Sequence, residues 1–104
     1  MKTVAITGDA GYTNVDQIMK DLEYLFRVKA LPDAFEVYTT EAEGVEKVIT
    51  PVLRDAGISV VKVDELPDVD IMVVFLNNKD KRAYDLMMYQ WNSKRPVYPF
   101  MVSH

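Results

Sequence analysis

Residues that could hold a small ligand cluster in the loop after the first apolar segment, residues 3–7. A strand that enters a helix through a glycine loop leaves unpaired backbone N–H groups at the helix start, where a phosphate or another anion can bind. An aspartate there could bind a metal ion or a ribose hydroxyl, or accept hydrogen bonds from the loop itself. A tyrosine could stack on a base or cap the first helical turn. The loop consists of Gly8, Asp9, Ala10, Gly11, Tyr12 and Thr13.

Two later loops carry residues of the same kind. Residues 39–44 include Thr40 and Gly44, and residues 77–82 include two amides and several basic residues. The bases could neutralise a phosphate or form the solvated first turn of a helix. The residues that we predict to bind a ligand in the last loop are Asn77, Asn78, Lys79 and Arg82.

Catalysis is the weaker interpretation of these loops. The chain has no cysteine, and its only histidine is the last residue, His104, so serine and threonine hydroxyls have no histidine base within the fold. Walker, GxSxG and HExxH motifs are missing from the sequence. Asp9 and Asp70 flank opposite ends of predicted strands and are not expected to form a carboxylate pair. We therefore assign no catalytic residue and no metal site, and the sequence does not identify a cofactor.

Composition and charge limit the classes of partner. The 104 residues are 49% hydrophobic, which fits one globular domain, and the net charge of −4 argues against nucleic-acid binding. The charge is uneven: residues 33–70 carry ten acids and three bases, whereas residues 79–95 carry five bases and two acids. Apolar runs fall short of the ~20 residues of a membrane span, and a secretion signal is not evident. We expect a cytoplasmic protein that does not bind membranes.

Three helices are predicted from apolar spacing. The first spans residues 14–28 and begins with a Thr13-x-x-Asp16 pattern, and the second follows a similar pattern at Thr40 and ends at Gly57. Pro51 is expected to kink the second helix or start a new turn capped by Thr50. The third spans residues 80–92, and its predicted inner stripe is Ala83, Leu86, Met87 and Trp91.

Five strands alternate with these helices, at residues 3–7, 35–39, 58–63, 71–76 and 97–102. Residues 71–76 are all apolar, which is typical of a central strand in a parallel sheet, whereas Pro99 confines the last strand to an edge. We predict an α/β, doubly wound, Rossmann-like parallel sheet of order 3-2-1-4-5. Ligands bind such sheets at the carboxyl ends of strands one and four, where the three loops above should meet.

The sequence resembles the small single-domain branch of the SLOG superfamily over nearly its whole length. The likeness lies in residues 7–15, in residues 39–46 after the second strand, and in residues 57–60 and 70–75. It implies a Rossmann-like fold that binds nucleotides or nucleotide-derived ligands. Gly8 matches the family's first-loop glycine, and Tyr12 and Thr13 match the aromatic-hydroxyl pair that opens the helix.

Other family positions differ. Ala10 or Gly11 replaces the family's arginine, only Ala42 and Gly44 match in the second loop, and Thr39 and Thr40 replace its paired glycines. The acid of the family falls at Glu43 or Glu46. Because threonine obstructs close approach of the backbone to a phosphate, the second loop should not bind phosphate as the family does.

One face of the sheet should be partly uncovered, since only residues 64–70 join the third and fourth strands. Seven residues span at most about 25 Å, so they can cross the sheet but cannot cover it. The uncovered residues are predicted to be Thr3, Ala5, Glu36 and Tyr38, or their neighbours. An uncovered face beside an asymmetric charge distribution suggests a homodimer.

Helix three carries more apolar and aromatic side chains than one inner face can hold. Exposed methionine and aromatic residues mark protein interfaces. We predict that Tyr84, Met88, Trp91 and Tyr98 contact a protein partner, and residues 97–100 add to the same edge.

Two functions follow from the sequence. The first is a non-catalytic or weakly catalytic binder of a nucleotide-type ligand at the loops after strands one and four. The second is an interaction protein that kept the fold, lost the ligand and docks on another protein. Short length and altered motifs would also suit a product of a phage or mobile element.

Overall fold

Strands and helices alternate along the chain, as the apolar spacing predicts. We analysed a computed structural model, which describes residues 1–77 and 81–102. In these residues the strands are β1 (Lys2–Gly8), β2 (Phe35–Thr39), β3 (Ser59–Lys62), β4 (Ile71–Leu76) and β5 (Val97–Met101). The helices are α1 (Val15–Arg27), α2 (Val45–Asp55) and α3 (Lys81–Asn92).

The strands form one parallel sheet in the order β3-β2-β1-β4-β5, which confirms the predicted class and order. All six side chains of β4 are buried because this strand lies between β1 and β5 and has side chains on both faces. Apolar residues are therefore required at every position of β4, not at alternate ones.

Helices α1 and α2 cover one face of the sheet. Their apolar stripes, which include Ile18, Leu22 and Ile49, pack with Val4 and Phe75 of the central strands in the larger of two apolar cores. The second core lies on the other face, where Ala83 of α3 packs with side chains of β1 and β4.

This second face is only partly covered. The segment between β3 and β4 places Leu66 and Val69 in the second core, where they pack with the fully buried Ala5. Farther out, Glu36 and Tyr38 of β2 are only half-buried. The prediction of a partly uncovered face is thus confirmed over β2 and β3, but it is wrong for Ala5, which Leu66 and Val69 help to bury. The homodimer inferred from it stays a prediction.

The predicted starts of the first two helices are wrong in detail. Asn14 caps α1, and its Oδ1 accepts a hydrogen bond from the Gln17 backbone N–H at 3.1 Å. Gly44 is the N-cap residue of α2, and the Thr40 hydroxyl donates to the Glu46 carboxylate instead of forming a capping box with Glu43. Short polar side chains near a helix start have several acceptors and donors within reach, so spacing alone does not choose among them.

Helix α2 is continuous through Pro51, which lies on its exposed side. The hydroxyl of Thr50 donates to the Glu46 backbone carbonyl at 2.7 Å, within the same helix. A new turn capped by Thr50 is therefore not what this segment forms.

The inner stripe of α3 also differs from the prediction. Gln90, which is 1% exposed, takes the place predicted for Trp91, which is 65% exposed. The Gln90 amide donates to the backbone carbonyls of Val69 at 3.0 Å and Pro96 at 3.2 Å. A buried glutamine is stable here because both amide hydrogens have acceptors.

Strand β5 forms one edge of the sheet, as Pro99 predicts. The Pro96 carbonyl accepts a hydrogen bond from the Met72 N–H, and the Val102 N–H donates one to the Leu76 carbonyl. In this register the backbone N–H and C=O groups of the even-numbered residues point toward β4, and those of the odd-numbered residues point away from the sheet. Pro99 is therefore on the outward side, where it offers no N–H to another strand.

Candidate functional site

The loop after β1 is held tightly against β4. A Cβ at Gly8 would lie 2.6 Å from the Phe75 backbone oxygen, so only glycine fits without movement. The next residue, Asp9, donates its backbone N–H to the same oxygen at 2.9 Å. The sequence placed Gly8 at a ligand, whereas in the structure it allows close contact between two strands.

The carboxylate of Asp9 is bound by its own surroundings. It is only 6% exposed and accepts hydrogen bonds from the Gly11 backbone N–H at 3.1 Å and from the Asn77 side chain at 3.0 Å. The loops after β1 and β4 thus meet at the carboxyl edge of the sheet, as predicted. A carboxylate of the chain takes donors that a bound phosphate would need.

Tyr12 belongs to the core. It is 6% exposed, and its ring stacks on Phe75 with the centroids 5.9 Å apart. Burial, and then the negative charge of Asp21, raise the pKa of the Tyr12 hydroxyl. The ring is therefore not displayed for stacking on a base, while its neighbour Thr13 is exposed.

The loop after β2 closes against the first loop. Gly44 has φ of +94°, and a Cβ there would lie 2.3 Å from the Asp9 backbone oxygen and 2.7 Å from Ala10. The two loops are thus in direct backbone contact.

Glu46, in the first turn of α2, is the second buried carboxylate at this edge, and it is 2% exposed. One oxygen accepts from the Thr40 backbone N–H at 2.7 Å and from the Thr40 hydroxyl at 2.9 Å, and the Thr39 hydroxyl lies 3.3 Å away. The other accepts from the Thr7 hydroxyl at 2.9 Å. Thr39 and Thr40, which end β2 and begin the loop after it, thus serve with Thr7 as donors to Glu46.

Arg82, from α3 on the opposite face, completes this network. Its Nη1 lies 3.1 Å from the second oxygen of Glu46, and its Nη2 lies 3.4 Å from the Thr40 hydroxyl. The pair connects α2 and α3 across the edge of the sheet. The predicted phosphate-binding cation is therefore already neutralised by a carboxylate of the chain.

A cavity of about 400 Å³ remains beside Arg82. Its walls combine the half-exposed guanidinium and Thr40 with two acids, Asp64 and Glu65, from the segment after β3. The acids oppose a phosphate in this cavity, since like charges repel at short range. The other lining residues are Ala42, Leu66 and Leu86.

Two residues of the predicted ligand site, Asn78 and Lys79, lie outside the described residues.

Asp70 and Asp9 are at opposite ends of the sheet, as expected, because Asp70 accepts a hydrogen bond from the Thr3 backbone N–H at 2.9 Å at the start of β1. This bond and a second one from the Thr3 hydroxyl lower the pKa of Asp70.

The residues predicted to contact a partner are mostly on one surface. Tyr84, Met88 and Trp91 have spacing i, i+4, i+7 and follow one stripe of α3. Tyr98 packs with the core on the opposite face of the sheet, so it does not join them.

An apolar cavity of about 240 Å³ lies between this stripe and β5. We call its lining the α3–β5 surface, which consists of Met87, Met88, Trp91, Val97 and Pro99. Val97 and Pro99 come from residues 97–100, which the sequence predicts at the same edge as helix three. The alternation of β5 explains why they line the cavity and Tyr98 does not, since both occupy positions that face α3 when Tyr98 faces the core.

The chain matches no protein-family model, no curated protein and no solved structure. Among the described residues, no helix is long and apolar enough to cross a membrane. The same residues hold no group of three or more histidine, cysteine, aspartate and glutamate side chains that could bind a metal ion.

Proposed function

We propose that this chain is a non-catalytic interaction protein that docks on another protein through the α3–β5 surface. The observation that carries the proposal is a contrast in exposure on α3. Its inner side is buried, yet Trp91 is 65% exposed beside an apolar cavity bounded by Met88 and Pro99. Tryptophan and methionine at the rim of an apolar pocket are typical of energetically important interface residues.

The carboxyl edge of the sheet supports the same proposal, because its hydrogen-bond donors are already used within the chain. The carboxylates of Asp9 and Glu46 accept the hydrogen bonds that loops of this fold class give to phosphates. Gly44 brings the loops into contact. A ligand would have to displace charges that are covalently part of the chain.

The mode of docking is limited by Pro99. A partner strand that extends the sheet beyond β5 needs N–H donors along the outer edge, and Pro99 interrupts that row. We therefore expect the partner to lie on the face formed by α3 and β5, with an apolar side chain in the cavity.

Capture from cell extract with three baits tests the proposal: the wild-type chain, Met88→Asp and Lys20→Asp. Lys20 is an exposed residue of α1, on the other face of the sheet. We expect a protein that is retained by the wild type and by Lys20→Asp and is lost with Met88→Asp. Equal retention by all three baits would contradict the assignment to this surface.

A nucleotide-type ligand is the second candidate, and the cavity beside Arg82 and Thr40 favours it. The cavity lies at the carboxyl end of the sheet, where this fold class binds ligands, and descent from a SLOG-type protein would agree with it. A thermal-shift panel of nucleotides, dinucleotides and cyclic nucleotides separates the candidates. A ligand at 100 times its dissociation constant would stabilise the fold by about 2.7 kcal/mol. We expect no shift, and a shift that Arg82→Gln removes would favour the second candidate.

A further inference from the structure

Trp91 lines two neighbouring cavities, one apolar and one partly basic. On one side is the apolar cavity with Met87, Met88 and Val97. On the other is a larger cavity of about 580 Å³ at the end of α3. Its lining includes two basic residues, and the full set is Trp91, Asn92, Lys94, Arg95 and Pro96. A segment lying across Trp91 would meet an apolar pocket and a basic pocket next to each other.

The charge of this region is opposite to that of the whole chain. Residues 81–102 contain four bases and one acid, Asp85, whereas the chain has a net charge of −4. Arg82 is paired with the buried Glu46. The bases beside Trp91 are Lys94 and Arg95. Arg95 forms an ion pair with Asp68, whereas Lys94 has no ion pair among the described residues.

The guanidinium of Arg95 is poorly satisfied. Its Nη1 lies 3.6 Å from Asp68 Oδ2, which is an ion pair without a hydrogen bond. The same nitrogen is buried and has no hydrogen-bond partner among the described residues. Asp68 also accepts a hydrogen bond from the Tyr89 hydroxyl at 2.8 Å, so this carboxylate is shared. Because this nitrogen is buried, a carboxylate of a partner would meet the rest of the Arg95 side chain, which is 37% exposed, and the exposed Lys94.

We propose that the partner of the α3–β5 surface is an acidic peptide segment with a large apolar side chain. The apolar side chain enters the cavity beside Met88, and carboxylates of the segment face Lys94 and Arg95. This inference rests on the proposed function and names the chemistry of its partner. Electrostatic complementarity of this kind favours acidic partners over neutral or basic ones.

Other occupants fit less well. In a symmetric pair of copies that meet through this surface, Lys94 and Arg95 of one copy would approach the same residues of the other, and like charges would repel. A nucleic acid would meet a chain of net charge −4 and would not fill a pocket lined by methionine, valine and proline. A separate acidic protein segment can place its carboxylates beside Lys94 and Arg95, and its apolar side chain fills the pocket that a nucleic acid would leave empty.

Selection from a random displayed peptide library against the immobilised full chain tests the inference. We expect selected peptides to combine a large apolar residue with several aspartates or glutamates. Each peptide is then synthesised with a fluorescent label, together with a version in which Asp becomes Asn and Glu becomes Gln. The amide version should bind about tenfold more weakly at low salt, as measured by anisotropy.

Paired variants locate the charge effect. Lys94→Gln with Arg95→Gln should weaken binding of the acidic peptide about tenfold. The matched control is Lys20→Gln with Arg27→Gln, which removes two exposed charges from α1 on the other face and should leave binding unchanged. Trp91 is the only tryptophan, so a change in intrinsic fluorescence on binding reports contact at the centre of the surface.

The outcomes separate the two proposals. Peptides that need Met88 and the exposed Trp91, tested with Met88→Asp and Trp91→Ser, but bind equally well as amides would overturn the acidic class and leave the docking surface intact. Peptides indifferent to both substitutions, or a library that yields no binder, would overturn both. Self-association that Met88→Asp abolishes, or binding of a labelled single-stranded oligonucleotide that the Lys94 and Arg95 variant loses, would assign the surface to a different occupant.

Discussion

The carboxyl edge of the sheet and the α3–β5 surface differ in whether their side chains are buried with partners in the chain or exposed. At the edge, Asp9 and Glu46 are buried and receive hydrogen bonds from several loops. At the α3–β5 surface, Trp91 is largely exposed, and an apolar cavity lies open beside it. The difference supports the proposal that the α3–β5 surface, and not the usual ligand site of the fold, is the region used for docking.

The largest effect should come from Gly44→Ala. The substitution forces a non-glycine residue into φ of +94° and places a Cβ 2.3 Å from the Asp9 backbone oxygen. Backbone strain and overpacking together should reduce the free energy of unfolding by about 3 to 5 kcal/mol, measured by urea denaturation.

Gly57→Ala is the matched control for this change. Gly57 has φ of +82° but nothing within 4 Å of the added Cβ, so only the backbone term of about 1 to 2 kcal/mol applies. Equal losses for the two variants would mean that the loops after β1 and β2 are not in contact.

Glu46→Ala should have the next largest effect. It leaves Arg82 without its carboxylate and deprives the buried Thr7 hydroxyl and the Thr40 N–H of their acceptor. We expect a loss of about 3 kcal/mol in the free energy of unfolding. Glu43→Ala, three positions earlier and just before α2, should change it by less than about 0.5 kcal/mol, because the Glu43–Lys47 pair is exposed. Similar losses at both positions would contradict the buried network.

A smaller effect, visible mainly in acid, is expected for Asp70→Asn. Hydrogen bonds from Thr3 lower the pKa of Asp70 from its ordinary value of 3.8. The stabilisation from the folded carboxylate is therefore present above that value and is lost as the pH falls through the lowered one. The variant should show a shallower loss of stability between neutral and acidic pH, while Thr3→Val, which keeps the backbone donor, should retain part of the slope. If the free energy of unfolding of Asp70→Asn fell with decreasing pH as steeply as that of the wild type, this role of Asp70 would be contradicted.

The smallest effect on stability should come from Trp91→Ala. The side chain is 65% exposed, so its removal should alter the free energy of unfolding by less than about 0.5 kcal/mol. A large loss, measured by circular dichroism in urea, would place Trp91 in the core and would weaken the contrast between the two regions.

The architecture was predictable because it depends on repeated patterns. The all-apolar β4, the apolar spacing of α1 and α2, and Pro99 at an edge each follow from the period of an element, and together they fix the order of the sheet. Meeting of the loops after β1 and β4 then follows from the topology alone.

The side-chain details of the edge depend on contacts between distant residues and could not be predicted. The sequence shows Glu46 as one of several acids near a helix start, and nothing local indicates that Thr7, Thr40 and Arg82 converge on it. Likewise, sequence alone favours a tryptophan over a glutamine at an inner position, because tryptophan is the more apolar of the two. Gln90 takes that position because two backbone carbonyls there need donors.

Pro99 has a consequence for growth of the sheet beyond one molecule. With the β5 rim lacking a donor at its middle, strand-to-strand addition can proceed only through the four-residue β3 at the opposite rim. If two copies paired through β3, both free edges of the joined sheet would be β5 strands that contain Pro99. Addition of further copies, strand beside strand, would therefore stop at that pair.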